Sequence, residues 1–315
     1  MFHDDKERFI NTIYQTVKRT GFPAFLLEKD YYLTLILSRV SELSEKLIFK
    51  GGTCLNKIYY IYYRLSEDLD FSMRLPEYTT TRSKRRKCIQ PIKDNIIKFA
   101  KQLGLRMDGV EKAGRNESKQ YVYNFIYQSV LRPKEMKIKF EIGLRYNPLR
   151  DTGIKNVQHK FLHPFTGEPL FDGGKVNCFS LNEIVAEKLR AAALRQTIAP
   201  RDFYDLDFVL RNGFNLANKE VMNLFKKKLE EDNGDTDLAR YLINLGRSDD
   251  EIKDMRSRVK EELFAVLTPE EQLRFDLNTA IERINYAVAK WVQQEGSNDN
   301  IISKQYDREK GENIV

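Results

Sequence analysis

Between Phe49 and Ser72 the chain reads FKGGTCLNKIYYIYYRLSEDLDFS, in which apolar residues surround two adjacent glycines and the acidic run Ser66-Glu67-Asp68-Leu69-Asp70. An ionised carboxylate in apolar surroundings is costly without a cation, a metal or a set of hydrogen bonds. The fold must therefore bring such a partner to Asp68 and Asp70. Leu47–Lys50 suits a short strand, Gly51-Gly52 a turn, and Thr53 to about Tyr62 a helix, while Asp68–Met73 alternates as a strand does. Two carboxylates two positions apart on a strand share one face, with Leu69 and Phe71 turned into the core.

The remaining sequence supplies helices and more strand. Asp4 and Asp5 open a helix with Phe9, Ile10, Ile13 and Val17 on one side; Gly21 closes it, and Pro23 starts a second helix to about Val40. A further helix reaches about Gln102, and strands are predicted over Leu105–Glu111, Gln120–Val130 and Met136–Tyr146. Asn147 to Gly174 is irregular and rich in proline and glycine, which makes it the candidate lobe boundary. Val176–Phe179 suits a strand. Ser180-Leu-Asn-Glu183 has the capping-box form before a helix to about Arg195, and nearly everything beyond Pro200 reads as helix to Gln294. The expected fold is α+β: a mixed sheet with flanking helices over 1–174, an all-helical lobe over 175–294, and a polar, flexible tail over 295–315.

Bulk properties narrow the function. With 315 residues, 41% hydrophobic and 31% charged, the chain can bury a real core. No apolar run spans a bilayer, and the N-terminus MFHDDKERF is too acidic for a signal peptide, so a cytoplasmic protein without a membrane partner is expected. Three scattered cysteines and three histidines argue against a disulfide framework or a zinc site. The net charge of +7 weakly favours an anionic partner.

The glycine turn, the Thr53 hydroxyl, a helix start and Asp-x-Asp on the next strand together make a triphosphate cradle beside a divalent-metal site. A plain β-turn followed by an exposed acidic strand end is the competing description, and short motifs match by chance. Glu141, on the polar face of its strand with Lys137 and Lys139, can complete the metal site; an ordinary solvated face explains it equally well. Lys188 lies among Ile184, Val185, Leu189 and Ala192, while Asp202 and Asp205 fall one turn apart in the next helix. A lysine held towards phosphate by an aspartate fits this pattern, and so do a dipole-favoured first-turn carboxylate and a snorkelling lysine. Arg82, Lys84, Arg85, Arg86 and Lys87 open a helix as a run that can follow an RNA backbone or merely coat a solvated face.

Phe49-Lys-Gly-Gly-Thr-Cys-Leu55, Arg64-Leu-Ser-Glu-Asp-Leu-Asp-Phe71, Ala186-Glu-Lys-Leu189 and Arg201-Asp-Phe-Tyr-Asp205 stand in the order and spacing of the AbiEii-type nucleotidyltransferase toxins, which this chain resembles from Glu28 to about Leu210. The resemblance implies a DNA-polymerase-β-like nucleotidyltransferase core with a helical second lobe. It further implies magnesium in a two-metal site, a nucleoside triphosphate donor, transfer to RNA and specifically tRNA, and a cognate antitoxin encoded nearby. Matched residue by residue, Gly52 and Thr53 take the family's Gly-Ser position, with Gly51 beside them on the nucleotide. Asp68 and Asp70 take its metal aspartates, Lys188 its third-motif lysine on the nucleotide, and Asp202 its essential fourth-motif aspartate. Glu141 matches the degenerate second motif. Lys29-Asp30 in the second helix also recurs in the family and stands outside the catalytic set.

Three other functions fit parts of the sequence. The same chemistry on a small molecule or a protein needs no basic helix at Arg82. A metal nuclease would use Asp70 with Glu135-Met-Lys137 but leaves the glycines and Lys188 idle. A non-catalytic nucleotide-binding partner predicts that Asp70 is dispensable.

Overall fold

The alternating runs pair as their periodicity demands. In the computed structural model, which describes residues 1–76, 79 and 81–293, β5 (Gln120–Gln128) and β6 (Glu135–Gly143) form an antiparallel hairpin, with Tyr123 opposite Phe140 and Phe125 opposite Ile138. Tyr121, Tyr123 and Phe125 point inward with Ile138, Phe140 and Ile142, all buried. Burial of such aromatic and aliphatic faces is the main favourable term in the sheet's stability.

The acidic strand joins this hairpin. β1 (Leu47–Lys50) pairs antiparallel with β2 (Leu69–Met73), and β2 runs parallel to β6. β3 (Arg106–Asp108) and β4 (Gly114–Arg115) both pair antiparallel with β5. On the other side, β8 (Lys175–Cys178) lies parallel to β1 and antiparallel to β7 (Gly153–Asn156). The order is β3-β5-β6-β2-β1-β8-β7, a mixed eight-stranded sheet with β4 off the path. The expected strand over Leu105–Glu111 is shorter: Gly109, at φ +65°, ends it and a 3-10 turn follows over Val110–Lys112.

Helices flank the sheet. α1 (Lys6–Thr20) is capped by the Asp5 carboxylate accepting from the Arg8 amide, and ends at Gly21 in the left-handed conformation. α2 (Ala24–Ser38) is apolar on nearly every side and buries Leu26, Leu27, Tyr31, Leu33, Ile36 and Leu37. α3 (Val40–Leu43) leads into β1. α4 (Gly51–Cys54) follows β1 and continues as a π-helical turn, Leu55–Tyr59. α5 (Arg82–Gln102) turns Ile89, Ile92, Ile96 and Phe99 inward.

Cα packing divides the chain into two compact units. The first holds Met1–Ile184 and Phe264–Arg274, including the whole sheet; the second begins at Val185, runs to Leu263 and resumes at Phe275. The division thus falls inside α6 (Leu181–Leu194), while 147–174 contributes β7 to the sheet. The second unit contains α7 (Pro200–Arg211), α8 (Lys219–Glu231), α9 (Asp249–Glu262) and a helix over 277–293, around Phe203, Leu206, Phe225, Leu229 and Met255. α10 (Pro269–Arg274) belongs to the first unit. The polar segment over 295–315 lies outside the described residues. Among the described residues no helix is long and apolar enough to cross a membrane.

Candidate active site

Antiparallel pairing sets Lys50 directly opposite Asp70, and parallel pairing sets Asp70 beside Glu141. Three strands therefore present a cation and two carboxylates on one face of the sheet, because residues in register share a side. Gly51 follows Lys50 at φ +78°, and a Cβ there would come within 2.6 Å of Asp70 Oδ2. A Cβ on Gly52 would come within 2.5 Å of the Arg64 guanidinium. The two glycines let Asp70 and Arg64 lie directly against the backbone at the helix start.

Thr53, expected as a phosphate ligand, has its hydroxyl turned to the acidic run. Its side chain is buried, its hydroxyl donates to the Asp68 backbone carbonyl, and it lies 2.7 Å from the Ser66 hydroxyl. It ties the glycine corner to the acidic run from behind.

Asp70 is electrostatically strained. Burial and the neighbouring Glu141 charge push its carboxyl up to about 6, with Asp68 adding to the push and Lys50 and Lys139 opposing it. Carboxylates are hard oxygen donors of the kind that magnesium takes. Glu141, however, is engaged: one oxygen lies 2.6 Å from the Lys139 ammonium, and the other accepts from the Gln120 amide at 2.5 Å. Burial works against the charged Lys139, but Glu141, Asp70 and Asp68 outweigh it and hold its ammonium above the usual range. Among the described residues no three acidic, histidine or cysteine side chains form a ready-made cation shell. Asp68 and Asp70 offer carboxylate oxygens of the type a divalent cation takes, while the Glu141 carboxylate is held by Lys139 and Gln120.

In the second unit, Lys188 sits between two carboxylates of α7, 2.9 Å from Asp202 and 2.7 Å from Asp205. Asp202 is buried, with Arg195 3.4 Å away on its other oxygen. The lysine of one helix and the aspartates of the next thus form the constellation read from their spacing. Desolvating three charges is tolerable only as such a paired set.

The basic run divides by helical geometry. Arg82, Lys84, Arg86 and Lys87 are exposed, and Arg82, Arg86 and Lys87 line a cleft of about 710 Å³ together with Ser83 and Gln90. Arg85 belongs to the inner stripe with Ile89 and Ile92. It is buried and donates to the Glu117 carbonyl at 3.1 Å, unlike its exposed neighbours in the run. The 85/89/92/96 spacing carried that signal.

Lys50, Arg64 and Ser66 were not singled out. Lys50 ends a strand in register with Asp70, and Arg64 and Ser66 lead into the acidic run, yet their approach to the glycine corner requires the intervening loop to fold back. Tyr59 donates to the Phe179 carbonyl at 2.6 Å, and Tyr62 and Tyr63 are buried, which gives these tyrosines packing roles.

Comparison with known proteins adds independent findings. The family model described as nucleotidyl transferase AbiEii toxin, type IV toxin–antitoxin system, matches residues 35–282. Among solved structures, JHP933 from Helicobacter pylori is 16% identical with a TM-score of 0.51, covering 89% of this chain and 99% of that one. MenT4, a nucleotidyltransferase toxin from Mycobacterium tuberculosis, is 18% identical with a TM-score of 0.51, covering 85% and 92%. At such identities the likeness concerns the fold. No curated protein sequence matches.

Proposed function

The chain belongs to the AbiEii family of nucleotidyltransferase toxins from type IV toxin–antitoxin systems, and from that premise we propose that it transfers a nucleoside monophosphate from a triphosphate to RNA, with tRNA as acceptor and magnesium at Asp68 and Asp70. In this reaction an acceptor hydroxyl attacks the α-phosphorus, the bond to the β-phosphate oxygen breaks, and pyrophosphate leaves. The observation that carries the proposal is the register of Lys50, Asp70 and Glu141 beside a glycine corner that admits no side chain.

Asp68 and Asp70 would hold the metal. Magnesium bound there supplies charge that stabilises the leaving pyrophosphate and acidifies the attacking hydroxyl. Gly51 and Gly52 open the helix that would face phosphate oxygens, and Lys50 with the Arg64 guanidinium against Gly52 adds positive charge there. Thr53 holds the Asp68 backbone. Lys139 holds Glu141, which would be a further carboxylate beside the metal. Lys188 would supply positive charge to phosphate, and Asp202 and Asp205 hold its ammonium at 2.9 and 2.7 Å. The exposed Arg82, Lys84, Arg86 and Lys87 follow the acceptor backbone, the feature that favours RNA over a small acceptor.

The test is transfer of label from each α-labelled triphosphate to total tRNA in magnesium. Transfer that disappears in Asp70→Asn supports the proposal. Transfer to a small acceptor alone, unaffected by reversing the charges of Arg82, Arg86 and Lys87, would replace it with the small-acceptor reading.

A further inference from the structure

Glu28, Lys29 and Asp30 are consecutive on α2, and the chemistry above uses none of them. Each holds a different segment of the first unit. The Glu28 carboxylate accepts from the Ser129 hydroxyl and the Val130 amide, both at 2.6 Å, and so fixes the connection between β5 and β6. Asp30 lies 2.7 Å from the fully buried Lys57 ammonium and accepts from the Tyr62 hydroxyl. Lys29 donates to Glu67 at 2.8 Å, one residue before Asp68.

The chain from Tyr60 to Asp68 has neither helix nor strand, and Tyr62 sits at φ +61°, a conformation costly for a residue with a side chain. Contacts from outside must therefore set its course. Asp30 holds Tyr62, the Val266 carbonyl accepts from the Leu65 amide at 2.9 Å, and the Thr53 hydroxyl holds the Asp68 carbonyl. Lys29 holds Glu67. Of these contacts, the Lys29 pair is the one least explained by stability. The Glu67 side chain is 45% exposed, against 12% for Lys29, and ion pairs with an exposed partner contribute little to folding.

We propose that Lys29 is a positioning residue for nucleotidyl transfer: by clamping Glu67 it fixes the end of the loop and hence the placement of Asp68. The inference rests on the assignment of Asp68 and Asp70 to the reacting centre. A group that only positions another makes its loss felt in turnover, since a displacement of about 1 Å at a reacting centre can cost a hundredfold in rate.

The experiment compares Lys29→Glu, Glu67→Lys, the doubly reversed pair and the milder Glu67→Gln in label transfer from triphosphate to total tRNA, with Asp70→Asn as control and thermal unfolding of each. Lys29→Glu should lower kcat about tenfold or more while leaving KM for the triphosphate within about twofold. The reversed pair should recover most of that loss, and Glu67→Gln should lose kcat with an unchanged Tm. Hydrogen exchange over 63–68 should rise in the single variants and return in the reversed pair. Full kcat in folded Lys29→Glu or in Glu67→Gln, with Asp70→Asn inactive, overturns the positioning role alone. Full activity in Asp70→Asn overturns the centre and this inference with it.

Discussion

Gly51 is required twice over. Its φ of +78° disfavours any side chain, and the space a Cβ would fill is held by the Asp70 carboxylate. Gly51→Ala should destabilise the protein by about 1–3 kcal/mol and abolish transfer, checked by denaturant unfolding and label transfer in parallel. Asp70 carries the opposite sign. With the carboxyl raised in the fold to about 6 from an ordinary value near 3.8, the folded state holds a proton that the unfolded chain has already released. Stability therefore falls as pH rises from about 4 through about 6 and stays lower above. In EDTA, Asp70→Asn should unfold at higher temperature than the unaltered protein at pH 8, and that gain should shrink towards pH 4. The same variant should be catalytically dead, the trade expected where a site keeps like charges together. A Tm gain independent of pH would contradict this account of Asp70.

At the scale of elements, α6 and α7 hold their charges as one set. Removing the cation in Lys188→Met takes the ammonium from both Asp202 and Asp205, and should cost about 3 kcal/mol by thermal or denaturant unfolding. Adding Asp205→Asn should return part of that stability without returning activity. Loss of activity in Lys188 variants thus needs a folding control. The sheet itself was legible where side chains alternated strictly, as at Tyr121, Tyr123, Phe125 and Tyr127, because a period of two admits one buried face. β7 escaped because Gly153-Ile154-Lys155-Asn156 has no buried alternation: it is an edge strand defined by its bonds to β8. The Lys188 cluster with Asp202 and Asp205 could be read from local spacing. The Thr53 hydroxyl could not, since its choice of the Asp68 carbonyl depends on a loop that returns to it from fifteen residues away. Glu183 was legible only in part. Ser180 does accept from the Glu183 amide at 3.3 Å, while the Glu183 carboxylate receives the amides of Leu149 and Arg150 from a segment remote in sequence.

For the molecule as a whole, the net charge of +7 was too modest to name a partner, and the structure refines it by exposing Arg82, Lys84, Arg86 and Lys87 while burying Arg85. Charge reversal of Arg82, Arg86 and Lys87 should weaken RNA binding and reduce the slope of log affinity against log salt by about two to three. Triphosphate KM should stay unchanged, as read from filter binding and steady-state kinetics. Membership of the AbiEii family and the shared fold make the chain a nucleotidyltransferase toxin; the acceptor is the point on which the account stands or falls. The most direct measurement is incubation of the purified protein with total tRNA, magnesium and each α-labelled triphosphate in turn. The account predicts label on tRNA from at least one triphosphate, abolished by Asp70→Asn. Triphosphate binding without label on any RNA would contradict it.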